Sequence, residues 1–382
     1  MTFSIGRAEP SFTLGIEEEY LLVSKDTRDL IAEQPPELMA ECERNLQKQV
    51  SPEFLRSQIE IGTRVHETLT DVGDDLRHLR ATVTQAASRY GLAPIAASTH
   101  PFARWSSQRH TDKERYAILA QDLQGVVRRL LICGMHVHVG IEDNQLRIDL
   151  MNQIAYFLPH LLALSTSSPF WAGEDLGLKS YRLCVFNELP RTGLPESFAS
   201  YEEYERHVNI LVDAGLIEDT TKIWWDVRPS ARYPTLEMRI ADVCTRLDDV
   251  LSIAALYRCL LRMLYRLRRN NQRWRIYAPM LINENRWRAQ RYGFDEGLVD
   301  FGKGCIVPYP SLLEEMIELT HEDAAYFGCE AEVSHTRNIL KRGSSAHRQL
   351  WAFQKSRAAG ASHEEALKSV VDLLITETVQ DL

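Results

Sequence analysis

Eleven residues, Thr13 to Val23 (T-L-G-I-E-E-E-Y-L-L-V), constrain the fold more than any other stretch of the chain. Their Leu, Ile, Tyr and Val content reads as a β-strand, yet three consecutive glutamates stand in the middle. Successive strand side chains point to opposite faces, so Glu17 and Glu19 share one face. Glu18 falls on the other, beside Ile16, Tyr20 and Leu22. Two carboxylates roughly 7 Å apart on one face invite a cation, whereas a carboxylate among apolar side chains requires a buried arginine or a backbone partner.

Three more stretches repeat the design. In Q-I-E-I-G-T, Ile59 and Ile61 point one way, and Gln58, Glu60 and Arg64 the other. In G-M-H-V-H-V-G-I, Met135, Val137, Val139 and Ile141 share a face and His136 and His138 project from the opposite one; Gly134 and Gly140 flank them, where close backbone approach is expected. In T-L-E-M-R-I-A-D, Leu236, Met238 and Ile240 oppose Thr235, Glu237 and Arg239. If the four strands join, their polar faces form one concave basin of carboxylates and imidazoles, and like charges that dense require cations.

Oxygen-rich donors with an occasional imidazole suit Mg²⁺ or Mn²⁺. The seven cysteines are widely spaced with no C-x-x-C pair, which excludes a thiolate zinc site and a disulfide framework and predicts a reducing, cytoplasmic setting. Hard cations on one surface imply a polyanionic ligand, and a nucleoside triphosphate is the common one. Arg239, with Arg228 and Arg232 in the preceding loop, would stabilise the transferring phosphoryl group. No G-x-x-x-x-G-K-[ST], G-x-G-x-x-G or G-x-S-x-G occurs, so neither a P-loop, a dinucleotide turn nor a hydrolase serine is expected. A metal-dependent hydrolase activating water in the same basin is a second reading.

The net charge of −9 argues against nucleic acid or acidic membrane as partners, and no apolar run is long enough to span a bilayer. Strands occupy the first two thirds without strict β-α-β alternation: beyond the four above, Ala93–Thr99 and Tyr181–Leu189 read as strands. Helical spacing predicts helices over Leu69–Tyr90, Glu114–Gln124, Leu146–Ser165 and Phe198–Ala214. From Leu247 onward everything reads as helix. The class is therefore α+β, a mainly antiparallel sheet backed by helices, in a single domain whose strand-bearing part spans 1–246 and helical part 247–382.

G-I-E-E-E-Y, Q-I-E-I-G-T, S-T-H-P-F-A-R-W, G-M-H-V-H-V-G, F-N-E-L-P-R-T-G, T-L-E-M-R-I-A-D and N-R-W-R-A-Q-R-Y-G resemble the type 2 glutamate–cysteine ligase family, in particular its YbdK-type carboxylate–amine ligases. The resemblance runs from about residue 11 to the C-terminal region. It implies a glutamine-synthetase-like fold and an ATP-dependent ligase that joins glutamate, or a similar amino acid, to cysteine or another amine through an acyl phosphate. Carried over by motif, Glu17, Glu19, Glu60, His136 and Glu237 would hold two or three Mg²⁺ or Mn²⁺ ions, with Glu67 as a further ligand. His138, Arg228, Arg232 and Arg239 would contact nucleotide or transferring phosphate, Arg228 and Arg239 as catalytic groups. Arg64 and Arg182 would bind substrate carboxylates. A homodimer is the family expectation. A catalytically silent homologue that retains nucleotide binding is the alternative from outside enzymology. One position departs from the resemblance: G-S-S-A-H-R-Q-L carries His347 where Asp would be expected.

Overall fold

The computed structural model describes residues 9–111, 124–380 and 382. Its centre is a seven-stranded sheet in which β1 (Leu14–Ser24) is a middle strand. The others are β2 (Val50–Pro52), β3 (Gln58–Gly62), β4 (Leu92–Ile95), β5 (Met135–Gly140), β6 (Val227–Pro229) and β7 (Thr235–Met238). The order is β6-β7-β5-β1-β3-β2, with β4 pairing the end of β1, and every pairing is antiparallel. The four polar-faced stretches are therefore neighbours. Register places Arg228, Glu237 and His138 in one cross-strand row, Glu17 opposite His136, and Glu19 opposite Glu60, which faces Ser51 in turn.

The apolar face of this sheet is sealed by helices. On β1, Leu14, Ile16, Glu18 and Tyr20 are buried, alternating with half-buried Gly15, Glu17 and Glu19. Helix α1 (Pro36–Leu46) packs on α2 (Leu69–Ser88). Helix α2 begins at Thr68, whose side chain accepts the Asp71 N–H, and buries Leu76, Leu79, Val83, Ala86 and Ala87. Further along the chain come α3 (Asn144–Ile154), α4 (Leu158–Ser165), α5 (Arg182–Phe186) and α6 (Tyr201–Asp213). Helix α7 (Leu247–Arg269) is buried along nearly its whole length up to Tyr265. Shortening a fully buried residue there, such as Leu260 to Ala, would cost about 2–5 kcal/mol. After it come α8 (Pro279–Tyr292), α9 (Tyr309–Leu319), α10 (His321–Phe327), α11 (Glu330–Arg342), α12 (Ser345–Ala358) and α13 (His363–Thr378). The last of these opens with a Ser362/Glu365 capping box.

Several sequence expectations change. Tyr181–Leu189 is not a strand: it contains helix α5, and i,i+4 spacing brings Arg182 and Phe186 together, the guanidinium 5.3 Å from the ring. The helix expected over Leu146–Ser165 is interrupted at Ala155–Phe157, because Pro159 has no N–H to offer the ladder and restarts the helix as its N-terminal proline. The C-terminal third is helical as expected but includes a small hairpin, Leu298–Asp300 with Cys305–Val307. The helix expected over 114–124 falls outside the described residues except at its last position. No described helix is long and apolar enough to cross a membrane.

Candidate active site

The polar face of the sheet is the floor of a cleft of about 460 Å³. Glu17, Glu19, Gln58, Glu60, His136, His138, Glu237 and Arg239 all line it, so period-2 alternation has brought four separate segments to one surface. Arg182, Arg228 and Arg232 line it as well. Arg64 and Glu67 do not: β3 ends at Gly62, the alternation lapses in the turn that follows, and both side chains are exposed outside the cleft. The Arg64 N–H and His66 instead bond Asp75, while the Glu67 carbonyl accepts from Arg258.

Two ligand trios emerge. In the first, Glu17, His138 and Glu237 each offer a donor atom within 4.8 Å of the others; in the second, Glu19, Glu53 and Glu60 do. Glu53 is the residue that strand reasoning missed, since it sits in the β2–β3 connection where no alternation marks its direction. His138, expected at the nucleotide, belongs to the first trio, and His136, expected as a ligand, lies outside both. Its Nδ1 is 3.1 Å from Glu17 Oε2 and 3.4 Å from Arg239 Nη1.

The donor set fits hard divalent cations: five carboxylates, one imidazole, and no thiolate in either trio. His138 gives the sharpest indication. Its Nδ1 is engaged by Thr235 Oγ1 at 2.9 Å, fixing the ring, while its buried Nε2 has no hydrogen-bond partner and faces Glu17 Oε1 at 3.6 Å. An outer-shell contact that orients one ring nitrogen and leaves the other free is the usual arrangement of a ligating histidine.

The trios differ in electrostatics. Glu237 accepts a fork from Arg228, with Nε at 3.0 Å and Nη2 at 3.2 Å, and a further bond from Arg239. Burial works to raise its pKa, but Arg239, His138 and Arg228 outweigh it and hold the carboxyl well below its ordinary range. Burial likewise opposes ionisation of Glu17, and the neighbouring imidazoles of His136, which is hydrogen-bonded to it, and His138 prevail. His138 is raised because Glu237 and Glu17 outweigh its burial, whereas His136 is pushed down to about 4 by burial and by Arg239. In the second trio, burial and the charge of Glu53 push Glu19 up to about 8, against Arg182, Arg239 and the Gly134 N–H that donates to it at 2.8 Å. Burial together with Glu53, Glu17 and Glu19 raises Glu60 well above a normal carboxyl. Crowded carboxylates with so little cationic compensation match a site that receives a cation.

Arg182 closes the end beside the second trio. It is buried, and donates to the carbonyls of Ile240 (3.3 Å) and Arg239 (3.2 Å), with Nε unpartnered. Gly134 makes room for it: a Cβ there would stand 2.5 Å from Nη2. Behind it, buried Asp242 accepts from the Ser167 N–H and from the Ser168 and Ser180 hydroxyls at 2.8–2.9 Å. Trp224 lines the cleft, while its neighbour Trp225 packs on Phe198 and Tyr204. His347 lies outside the cleft, stacked on Phe294 and bonded to Ser344 and Asp295 at the start of α12. An imidazole there ties the start of α12 to the segment after α8.

A model of the Glutamate-cysteine ligase family 2 matches residues 13–372. The chain belongs to that family. The "Putative glutamate--cysteine ligase 2" of Rhodospirillum rubrum is 65% identical over 378 residues, covering 98% of this chain and 97% of the relative. The protein of the same name from Jannaschia sp. is 59% identical over 375 residues, covering 98% and 99%. Among solved structures, a bifunctional glutathione synthetase from Pasteurella multocida superposes with a TM-score of 0.71 at 14% identity, over 97% of this chain and 53% of that one. The Francisella tularensis glutamate–cysteine ligase in complex with AMP gives 0.66 at 12%, over 96% and 89%. The α+β, glutamine-synthetase-like architecture is thus shared with these solved structures, and family membership makes the chain an ATP-dependent carbon–nitrogen ligase.

Proposed function

We propose that the protein activates the carboxylate of glutamate, or of a similar amino acid, as an acyl phosphate and transfers the acyl group to an amine such as cysteine. The carboxylate attacks the γ-phosphorus of ATP and ADP leaves; the amine nitrogen then attacks the acyl carbon, phosphate leaves, and the amine gives up a proton. The observation that carries this reading is the pair of ligand trios on one sheet face, flanked by Arg228 and Arg239 at one end and Arg182 at the other.

Glu17, His138 and Glu237 would hold one Mg²⁺ or Mn²⁺ ion, and Glu19, Glu53 and Glu60 another. Such ions, when bound, neutralise phosphate oxygens. The chain's own groups do the rest. Arg239 and Arg228 present fixed positive charge to the transferring phosphoryl group, held in place by Glu237 rather than by mobile solvent. Arg232, exposed on the cleft rim, contacts nucleotide phosphate. Arg182, with its unpartnered Nε, receives a substrate carboxylate. Neutral His136 orients the Glu17 carboxylate. No nucleophilic side chain is required, since positioning and electrostatics suffice for phosphoryl transfer.

The test is incubation with ATP, Mg²⁺, a panel of amino-acid carboxylates and hydroxylamine. ADP and a hydroxamate are expected together. Absence of both across the panel overturns the ligase reading, and turnover of a phosphoester or amide without ATP replaces it with the hydrolase.

A further inference from the structure

The middle glutamate of the triplet takes no part in either trio. Glu18 lies on β1 between Glu17 of the first trio and Glu19 of the second, pointing to the opposite side of the sheet. There its carboxylate receives a fork from Arg80, with Nε at 2.9 Å and Nη2 at 2.6 Å, and a third bond from the Tyr20 hydroxyl. The other N–H groups of Arg80 reach the carbonyls of Thr245 at 2.8 Å, Cys244 at 3.0 Å and Thr378 at 3.5 Å. All five guanidinium donors are thus used, and both charged side chains are at most 1% exposed. One side chain from α2 clamps the metal-facing strand to the segment that follows β7 and to the last turn of α13.

Stability alone is a poor reason for such a pair. Burying two charges carries a desolvation penalty, and apolar residues of similar volume commonly do as well or better. An apolar pair, however, does not fix the height and direction of a strand, as a bidentate fork does. Cation sites tolerate ligand displacements of only about 0.2 Å, and any shift of the backbone at Glu18 passes to its two neighbours.

We propose that Arg80 and Glu18 are positioning residues that hold the two ligand trios in register from behind the sheet; this rests on the reading that the trios bind divalent cations. The test compares the full-length protein with R80M/E18L and with a remote buried pair replaced in the same way, R262M/D323L, where Arg262 bonds Asp323 at 2.9 Å. Mn²⁺ binding is titrated by electron paramagnetic resonance without nucleotide, alongside circular dichroism. R80M/E18L is expected to fold with Mn²⁺ affinity weakened about 10- to 100-fold, as for other outer-shell partners, while R262M/D323L keeps wild-type affinity. Wild-type affinity in a folded R80M/E18L, or equal weakening in both double variants, overturns the proposal. If R80M/E18L does not fold, R80K and Y20F carry the same titration, and unchanged affinity in both overturns it. A wild-type protein that binds no Mn²⁺ instead overturns the cation reading of the trios.

Discussion

At one end of the cleft Glu17 and Glu237 are held ionised by two imidazoles and two guanidiniums. At the other, Glu19 and Glu60 press on each other and on Glu53 and are pushed toward their neutral forms. The same side chain on the same sheet face therefore does two things. At the first end most of the carboxylate charge is met by the chain's own guanidiniums and imidazoles, with His138 Nε2 left open. The second is a cluster of carboxylates that the chain leaves largely without matching cations. Preorganised guanidiniums would suit a transferring phosphoryl group beside one proposed ion, and the unmatched carboxylates of the second end would suit the capture of another.

That contrast can be broken from either side. The largest effect is expected at the matched end: Glu237→Gln leaves Arg228 and Arg239 without their carboxylate and should lower stability by about 3–5 kcal/mol, measured by denaturant unfolding. A loss below about 1 kcal/mol would show that the guanidiniums are solvated rather than paired. At the unmatched end the sign reverses. Glu60→Gln should stabilise the metal-free protein by about 1 kcal/mol while weakening Mn²⁺ binding at least about tenfold. Destabilisation in the metal-free state would mean that the second trio is not strained.

The pH dependence sharpens the same point. A carboxyl whose folded pKa lies above its unfolded value stabilises the fold while protonated, and that contribution fades as pH rises. For Glu19 it is fully present below the ordinary value of 4.5 and lost as pH climbs through about 8. Metal-free wild type should therefore lose stability relative to Glu19→Gln across that window, and a pH-independent difference would remove the basis for the contrast. The smallest effect belongs to the exposed rim: Arg232→Ala should raise KM for ATP about fivefold, or about 1 kcal/mol, with kcat unchanged. A fall in kcat instead would move Arg232 into the chemistry.

Much of the cleft was legible because a sheet face is a period-2 object. Glu17, Glu19, Glu60, His136, His138 and Glu237 each sit in a stretch whose apolar partners reveal the direction of every side chain. What escaped lies where that period stops. Glu53 is in a connection and Arg64 and Glu67 lie past the end of β3; Arg182, named from the family resemblance, lines the cleft from a helix whose Leu, Cys, Val and Phe content imitates a strand. The division of labour between the two histidines depends on Thr235 reaching across from the neighbouring strand, a pairing that no spacing within G-M-H-V-H-V-G encodes. Glu18 was a middle case: its need for a buried cation followed from its face, but nothing local pointed to Arg80, 62 residues away.

The Arg80 clamp also has a temporal side. It joins β1, near the start of the chain, to Cys244, Thr245 and Thr378, and the first trio needs Glu237 beside Glu17. Contacts this distant in sequence form slowly, because the loops between them must close first. During synthesis, which proceeds from the N-terminus, the strand with three glutamates emerges well before its counter-charges. A nascent chain therefore makes the Glu17–Glu19 run first, gains Arg80 opposite Glu18 next, and completes the first trio only once Glu237 has been made.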